Sequence, residues 1–218
     1  MMFKDVKNRR ELSSEDLRRM RIPDRYWRVS FDNIQDSQVR GIEETFRALI
    51  LRYMQKTDEV IKEGAGLILW GDNGTGKTSA SVVIGKEFRR RSKTVLFMPA
   101  SELKQKVVDH ERFDEDETVW ERAKSVDILV LDDFGKGVMD STGFGATLFD
   151  ELIRARNSYK LITIITSNLP VSEWHDELDL KKSTMRTLKE CTIPIEVLGR
   201  DLRNDNAERL VNLLVADV

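Results

Sequence analysis

The feature that most constrains this chain is one short segment, Gly71-Asp72-Asn73-Gly74-Thr75-Gly76-Lys77-Thr78. It has the pattern G-x-x-x-x-G-K-[ST], follows an apolar run at 67–70, and precedes a stretch at 79–90 that is typical of a helix. Such a loop lets backbone N–H groups surround an anion at the amino end of a helix. A chance glycine-rich turn is the alternative, but the flanking strand and helix disfavour it. The segment therefore predicts a phosphate-binding loop.

Apolar runs of strand length alternate with helical stretches in the rest of the chain. The runs lie at 67–70, 94–98, 128–131, 161–166 and 193–198. Four of them are nearly all apolar, as is typical of strands covered on both faces. The fifth contains Pro194 and Glu196, so we expect it at an edge. The alternation predicts an α/β fold with a central parallel sheet and helices on both faces.

Two segments precede the glycine-rich loop. We expect one to pack on the rest of the domain and the other to dock on a partner. Apolar residues at helical spacing predict one amphipathic helix from Gln38 to about Glu63, packed on a larger body. Residues 1–28 carry nine basic and five acidic side chains, and Ser13 with Asp16 forms a helix N-cap pattern. This basic arm is predicted to lie in a groove on a protein partner, with DNA contact as the alternative. The apolar residues available for such docking are Leu12, Leu17 and Met20.

Composition excludes several classes of protein. The chain has 36 Lys and Arg against 38 Asp and Glu, a net charge of −2, which excludes a uniformly basic nucleic-acid coat but not a local basic patch. Cys191 has no partner for an intramolecular disulfide, and His110 and His175 form no zinc cluster. No apolar run approaches the roughly 20 residues of a membrane helix. We expect a cytoplasmic protein without a membrane partner.

Two acidic residues, Asp132 and Asp133, end the third apolar run. If this strand lies beside the one before the loop, Asp132 reaches a Mg²⁺ ion that the Thr78 hydroxyl also ligates. Asp133 then faces the terminal phosphate and can polarise the attacking water, while Lys77 neutralises the β- and γ-phosphates. An acidic pair after a strand is by itself more often a loop start or a helix cap. The phosphate loop makes the catalytic interpretation the better one.

An amide, Asn168, follows the fourth run at the edge where α/β sheets bind ligands. There it can hold the water or a γ-phosphate oxygen, although a simple turn before Pro170 explains the segment equally well. The chain has no Asn-Lys-x-Asp segment that would indicate guanine. ATP with Mg²⁺ is therefore the predicted ligand.

Taken together, these segments resemble those of AAA+ ATPases of the DnaC/IstB group, the replicative helicase loaders and their transposition-helper relatives. The segments that carry the resemblance are GDNGTGKT, VDILVLDD, IITSN, STMRTLKE and GRDLR, with the lead-in IPDRYWRVSFDNI. The resemblance implies a P-loop NTPase core of five parallel strands in the order 5-1-4-3-2. It also implies an arginine finger at Arg186, which would act on a neighbouring subunit, and a second sensor arginine at Arg203. Either arginine is otherwise an ordinary solvated charge.

The resemblance also implies a domain plan and a function. The plan is a basic arm at 1–28, an AAA+ core at 29–198 and a reduced lid at 199–218. The function is an ATP-dependent helicase loader that self-assembles, binds single-stranded DNA and delivers a replicative helicase during replication initiation. A transposition helper that acts on duplex DNA is one alternative. A P-loop kinase for small molecules is another, although it leaves Asn168, Arg186 and Arg203 without a use.

Two basic groups are candidate DNA contacts. Lys104 and Lys106 lie in a region that, in the family, is a helical insertion that helps hold single-stranded DNA. An acidic bend at 111–117 in the same region would repel phosphates and is expected to point elsewhere. The second group is a basic cluster at 89–93, which either contacts DNA or caps the preceding helix at its carboxyl end.

Overall fold

A single sheet organises the part of the chain that the computed structural model describes, residues 11–102, 119–138, 143–199 and 201. Its strands are β1 (Gln38–Val39), β2 (Gly66–Trp70), β3 (Val95–Pro99), β4 (Ile128–Asp132), β5 (Ile162–Ser167) and β6 (Thr192–Leu198). The spatial order is β1-β6-β2-β5-β4-β3. The five parallel strands, β2 to β6, confirm the order that the resemblance implied. The difference is β1, which pairs antiparallel with the end of β6 and covers part of that edge.

Eight α-helices lie within the described ranges and cover both faces of the sheet. They are α1 (Ser14–Arg19), α2 (Phe46–Gln55), α3 (Thr57–Glu63), α4 (Lys77–Arg90), α5 (Val119–Ser125), α6 (Phe144–Ser158), α7 (Trp174–Glu177) and α8 (Lys182–Cys191). Neighbouring residues of β2 point to opposite faces, so Leu67 and Leu69 join one apolar core and Ile68 joins the other. The first core includes residues of α1 to α4, and the second includes residues of α5 to α8. No helix in the described ranges is long and apolar enough to cross a membrane.

The single helix predicted from Gln38 to about Glu63 is wrong at its start and in its middle. Gln38 and Val39 form β1, because the backbone of β6 offers them hydrogen-bonding groups at an open edge. The helix begins instead after Thr45, whose hydroxyl accepts the N–H of Ala48 as an N-cap. It stops at Lys56, which separates α2 from α3. Strand pairing thus overrides the helical spacing of the first residues.

The described part of the basic arm, residues 11–28, packs along the sheet edge. The capping box of Ser13 and Asp16 begins α1, as the sequence predicts. Leu17 and Met20 are then buried in the first apolar core, and the carbonyl of Met20 accepts the N–H of Phe97 on the open edge of β3. The prediction that these two apolar side chains dock on a partner is therefore wrong, because the same chain already covers them.

A buried lysine fastens the lead-in to the helix that follows the glycine-rich loop. The ammonium of Lys86, in α4, donates to the carbonyls of Tyr26, Trp27 and Val29 at 2.8, 2.9 and 2.8 Å. Burial lowers the pKa of Lys86 to about 8, and the nearby charge of Arg90 adds to the effect. Three carbonyl acceptors offset the loss of hydration, so a charged group is tolerated inside the domain.

A second buried cation, Arg156 in α6, secures the opposite end of the sheet. Its guanidinium donates to the hydroxyl of Thr163 at 2.9 Å and to backbone carbonyls at the amino ends of β4 and β5. A further bond joins it to the carbonyl of Ala123 in α5 at 2.7 Å. The planar fork of donors suits several fixed carbonyls at once. Arg156 therefore ties two helices to two strands away from the glycine-rich loop.

We predict that Lys86→Met lowers the free energy of unfolding by about 2–4 kcal/mol, because three partly buried carbonyls lose their donor. Urea unfolding at pH 7 measures this change. The matched control is Lys62→Met, at an exposed position of α3, where we expect a change within about 0.5 kcal/mol. Equal unfolding free energies for the two variants would contradict the anchoring role of Lys86.

Candidate functional site

The glycine-rich loop adopts the backbone conformation that its sequence predicts. It connects the end of β2 to the start of α4 at Lys77, and Gly71, Gly74 and Gly76 have φ angles of 139°, 77° and 90°. A Cβ atom on Gly71 would lie 2.4 Å from the carbonyl oxygen of Val197 in β6. At Gly71 the loop thus lies against the neighbouring strand, where only glycine fits.

The lysine of the loop is held inside it. Lys77 is 7% exposed, and its ammonium donates to the carbonyls of Gly71 and Asp72 at 2.8 and 2.6 Å. The hydroxyl of Thr75 also donates to the Asp72 carbonyl, at 3.0 Å. These bonds fix a positive charge at the amino end of a helix, where the backbone already favours anions. The arrangement suits the phosphates of a nucleotide.

Asp132, the last residue of β4, links α4 to the sheet through hydrogen bonds. Its Oδ1 accepts the hydroxyl of Thr78, in the first turn of α4, and the hydroxyl of Thr166, in β5, both at 2.7 Å. β5 lies between β4 and β2, as the order 5-1-4-3-2 implied, so these two strands are not neighbours. Thr78 still reaches Asp132 because α4 crosses over β3, β4 and β5. The predicted metal ligands Thr78 and Asp132 are therefore brought together from different elements.

Burial raises the pKa of the Asp132 carboxyl above its usual value, while the bonds from Thr166 and Thr78 act in the opposite direction. A cation beside this carboxylate would favour its charged form. The described ranges contain no group of three or more His, Cys, Asp or Glu that could hold a metal ion on its own. One carboxylate and one hydroxyl fit Mg²⁺, which takes oxygen ligands and completes its shell with phosphates and water. This pair suits a metal that arrives with a nucleotide.

The second acidic residue and the predicted amide also meet. The amide nitrogen of Asn168 donates to Oδ1 of Asp133 at 3.1 Å, and both side chains are exposed at the carboxyl edge of the sheet. Asp133 has a φ of 59°, in the left-handed region that few residues other than glycine adopt. Backbone strain of this kind is common at functional sites. Asp133 and Asn168 could together orient a water molecule.

No sequence pattern pointed to one residue of this network, Thr166. The hydroxyl of Thr166 donates to Asp132 and accepts the backbone N–H of Asp133, the latter at 2.9 Å. Thr166 therefore connects the two acidic residues. A polar residue in an apolar strand was the available signal, since a buried hydroxyl needs hydrogen-bond partners. The run that ends in Ser167 and Asn168 gave no indication of which residue Thr166 contacts.

Of the remaining predicted residues, the described ranges contain Arg186 and the basic cluster at 89–93. Arg186 is exposed on α8, and among the described residues no hydrogen bond or ion pair joins it to the acidic pair. Arg203, Lys104 and Lys106, with the lid segment 202–218, lie outside the described ranges. The basic cluster at 89–93 is paired with acids: Arg89 with Asp16, Arg90 and Arg91 with Glu87, and Lys93 with Asp127. That pairing leaves less positive charge for phosphate contacts.

A cleft of about 570 Å³ opens next to the loop. Its lining comes from the lead-in, from α2 and from the end of β6, and includes Ile34, Ser37, Arg47 and Gly199. A Cβ atom on Gly199 would lie 3.0 Å from the Ser37 hydroxyl and 3.8 Å from a methyl group of Thr75, so the cleft adjoins the loop. No local sequence pattern indicates this cleft, because it forms between segments about 160 residues apart.

Comparison with known proteins agrees with this geometry. The sequence matches the family described as IstB-like ATP binding protein over residues 12–197. A curated relative, an insertion sequence ATP-binding protein of Sinorhizobium fredii, is 30% identical over 118 residues. These residues are 54% of this chain but 39% of that protein, so the chain covers well under two thirds of the relative.

Solved structures share the fold. The DnaC helicase loader is similar with a TM-score of 0.66 and 22% identity, over 80% of this chain and 99% of that one. DnaI is similar with a TM-score of 0.62 and 21% identity, over 83% of this chain and 93% of that one. At these identities the likeness establishes the fold alone.

We predict that Gly71→Ala lowers the free energy of unfolding by about 2–4 kcal/mol and abolishes binding of a fluorescent nucleoside triphosphate. The added methyl group combines a strained φ with a clash against the backbone of β6. Gly137→Ala is the control, since a Cβ atom there meets nothing within 4 Å. Urea unfolding and fluorescence titration compare the two variants. Normal triphosphate binding by Gly71→Ala would contradict the assignment of this loop.

Proposed function

The chain belongs to the IstB-like ATP-binding protein family, and on that basis we propose that it is an AAA+ ATPase that uses ATP and Mg²⁺ to act on DNA together with a protein partner. One observation carries the proposal. Thr78, Asp132, Asp133 and Asn168, which the sequence places in three separate segments, form one hydrogen-bond network at the carboxyl edge of the sheet. Thr166 connects it, since its hydroxyl bonds the Asp132 carboxylate and the Asp133 backbone. Strand ends at this edge are where α/β proteins bind ligands.

We propose a role for each residue in hydrolysis. Backbone N–H groups of residues 71–78 and the ammonium of Lys77 hold the phosphates, and Thr78 and Asp132 hold the magnesium ion. When bound, this ion neutralises charge on the phosphate oxygens. Asp133 accepts a proton from the attacking water, and Asn168 keeps the Asp133 carboxylate and the water in position. The cleft lined by the lead-in and Gly199 takes the nucleoside, because it adjoins the loop.

The role that we put first is that of a helicase loader that binds single-stranded DNA and a replicative helicase. Support comes from the lead-in and tail segments that resemble this group, and from the likeness to the DnaC helicase loader along 99% of that chain. In this role Arg186 is the arginine finger that acts on a neighbouring subunit, Arg203 is the second sensor, and Lys104 and Lys106 contact the DNA strand. A reduced lid at 199–218 and a cytoplasmic location complete the proposal.

A second role, a transposition helper that acts on duplex DNA, is favoured by a different observation. The relative with 30% identity is an insertion sequence ATP-binding protein. Both roles use the same ATPase core, so the site itself does not distinguish them. They differ in the nucleic acid that should stimulate the site.

The stimulus for ATP hydrolysis tests the two roles. We expect turnover to rise with single-stranded DNA by at least several-fold over duplex DNA of the same length and salt concentration. A larger response to duplex DNA would favour the transposition helper, and phosphate transfer to a small acceptor would favour a kinase. Lys77→Ala, which lacks the phosphate-binding charge, is the control for contaminating ATPases and should show no turnover.

We predict that Asp133→Asn keeps nucleotide affinity within about threefold but lowers kcat by at least 100-fold, because an amide does not accept a proton as a carboxylate does. Asp179→Asn is the matched control, since Asp179 is also exposed and has a positive φ, 50°. Asparagine tolerates this backbone region at both positions. Equal kcat for the Asp133 variant and wild type would remove Asp133 from the mechanism.

We predict that a mixture of Arg186→Ala and Lys77→Ala hydrolyses more ATP than either variant alone. The first variant keeps its own nucleotide site and the second keeps its arginine finger, so only mixed interfaces contain both. A mixture of Lys77→Ala with the double variant Lys77→Ala, Arg186→Ala should show no gain. Absence of rescue at any ratio, with mixed oligomers confirmed by co-purification, would argue against an arginine finger in trans.

A further inference from the structure

Thr166 occupies a buried position between the two acidic residues of the site. It is the second-to-last residue of β5 and is 2% exposed. Its hydroxyl donates to Oδ1 of Asp132 at 2.7 Å and accepts the backbone N–H of Asp133 at 2.9 Å. A hydroxyl carries one proton, and a backbone N–H only donates, so the hydroxyl proton is directed to Asp132. One side chain therefore contacts both acids with defined polarity.

The same residue also holds the turn that carries Asp133. The backbone carbonyl of Thr166 accepts the N–H of Phe134 at 2.8 Å, so two consecutive N–H groups of this turn bind one residue. Asp133 has a φ of 59°, a conformation that persists where surrounding contacts fix it. The side chain of Asp133 then meets Asn168 across the ends of β4 and β5. Thr166 thus holds the backbone from which the Asp133 carboxylate extends.

From this geometry we propose that Thr166 is a positioning residue for ATP hydrolysis, which fixes the metal ligand Asp132 and the proton acceptor Asp133 relative to each other. The inference rests on the proposed ATPase function. Of the two hydroxyls that donate to Asp132, that of Thr78 belongs to a proposed metal ligand. The hydroxyl of Thr166, in β5, orients the Asp132 carboxylate and does not itself bind the metal. Residues that orient metal ligands in this way affect both metal affinity and rate.

Thr166→Val tests the proposal, because valine has the same shape as threonine and lacks the hydroxyl. We expect kcat to fall by about 10–100-fold while the KM for ATP stays within about threefold. The affinity for a fluorescent ATP analogue should be unchanged without Mg²⁺, and the gain in affinity on adding Mg²⁺ should shrink by about 10-fold or more. Thr166→Ser, which restores the hydroxyl, should recover kcat and the Mg²⁺ effect to within about threefold of wild type.

Thr163→Val provides the matched control. Thr163 lies in the same strand, is also buried, and its hydroxyl accepts a hydrogen bond from Arg156 at the other end of the sheet. We expect this variant to lose thermal stability at least as much as Thr166→Val but to keep kcat within about threefold. If Thr166→Val does not fold, Thr166→Cys replaces it, since a thiol donates a much weaker hydrogen bond.

Three results would overturn the proposal. One is equal kcat and an equal Mg²⁺ effect in Thr166→Val and wild type. Another is a loss of kcat in Thr163→Val as large as that in Thr166→Val, which would show that a general disturbance of β5 lowers kcat. The last is failure of Thr166→Ser to recover activity. If wild type itself does not hydrolyse ATP, the ATPase proposal fails, and the Mg²⁺-dependent affinity of the variants still decides the role of Thr166.

Discussion

The burial of the central strands on both faces is the constraint on which the other features of this structure depend. The apolar residues of β2, β4 and β5 lie between two helical layers, and nearly all of them are inaccessible to solvent. Such strands accept charged groups only at their ends, where helices and loops leave room for water or for hydrogen-bond partners. The chemistry therefore collects at the carboxyl edge, and the buried fork of Arg156 secures the amino edge.

The lead-in is fastened to the helix that begins at the glycine-rich loop. Lys86 binds three of its carbonyls from α4, and the first turn of the same helix contains Lys77 and Thr78. Further along, the lead-in lines the cleft beside the loop. Any displacement of the lead-in would therefore affect the helix that begins at the phosphate-binding loop. In the basic arm, the side chains of Arg18 and Arg28 are exposed, whereas Leu17 and Met20 are buried.

The carboxylate of Asp132 shows how strand order and chemistry depend on each other. Insertion of β5 between β2 and β4 separates the loop strand from the acidic strand. It also places the polar end of β5 between the glycine-rich loop and the two acids. There Thr166 contacts Asp132, and Asn168 contacts Asp133. An acid buried in this way has a raised pKa, which the two hydroxyl donors counteract. The inserted strand supplies one of those donors.

The sequence by itself determined the elements and the chemical groups: the glycine-rich loop, the five parallel strands, the acidic pair and Asn168. Local pattern suffices there, because periodicity and loop chemistry act over a few residues. Only the tertiary structure decided which groups meet. It assigned Thr166 to both acids, turned Gln38 and Val39 into a strand, and buried Leu17 and Met20. Each of these outcomes depends on pairing and burial between residues far apart in the chain, which no local pattern encodes.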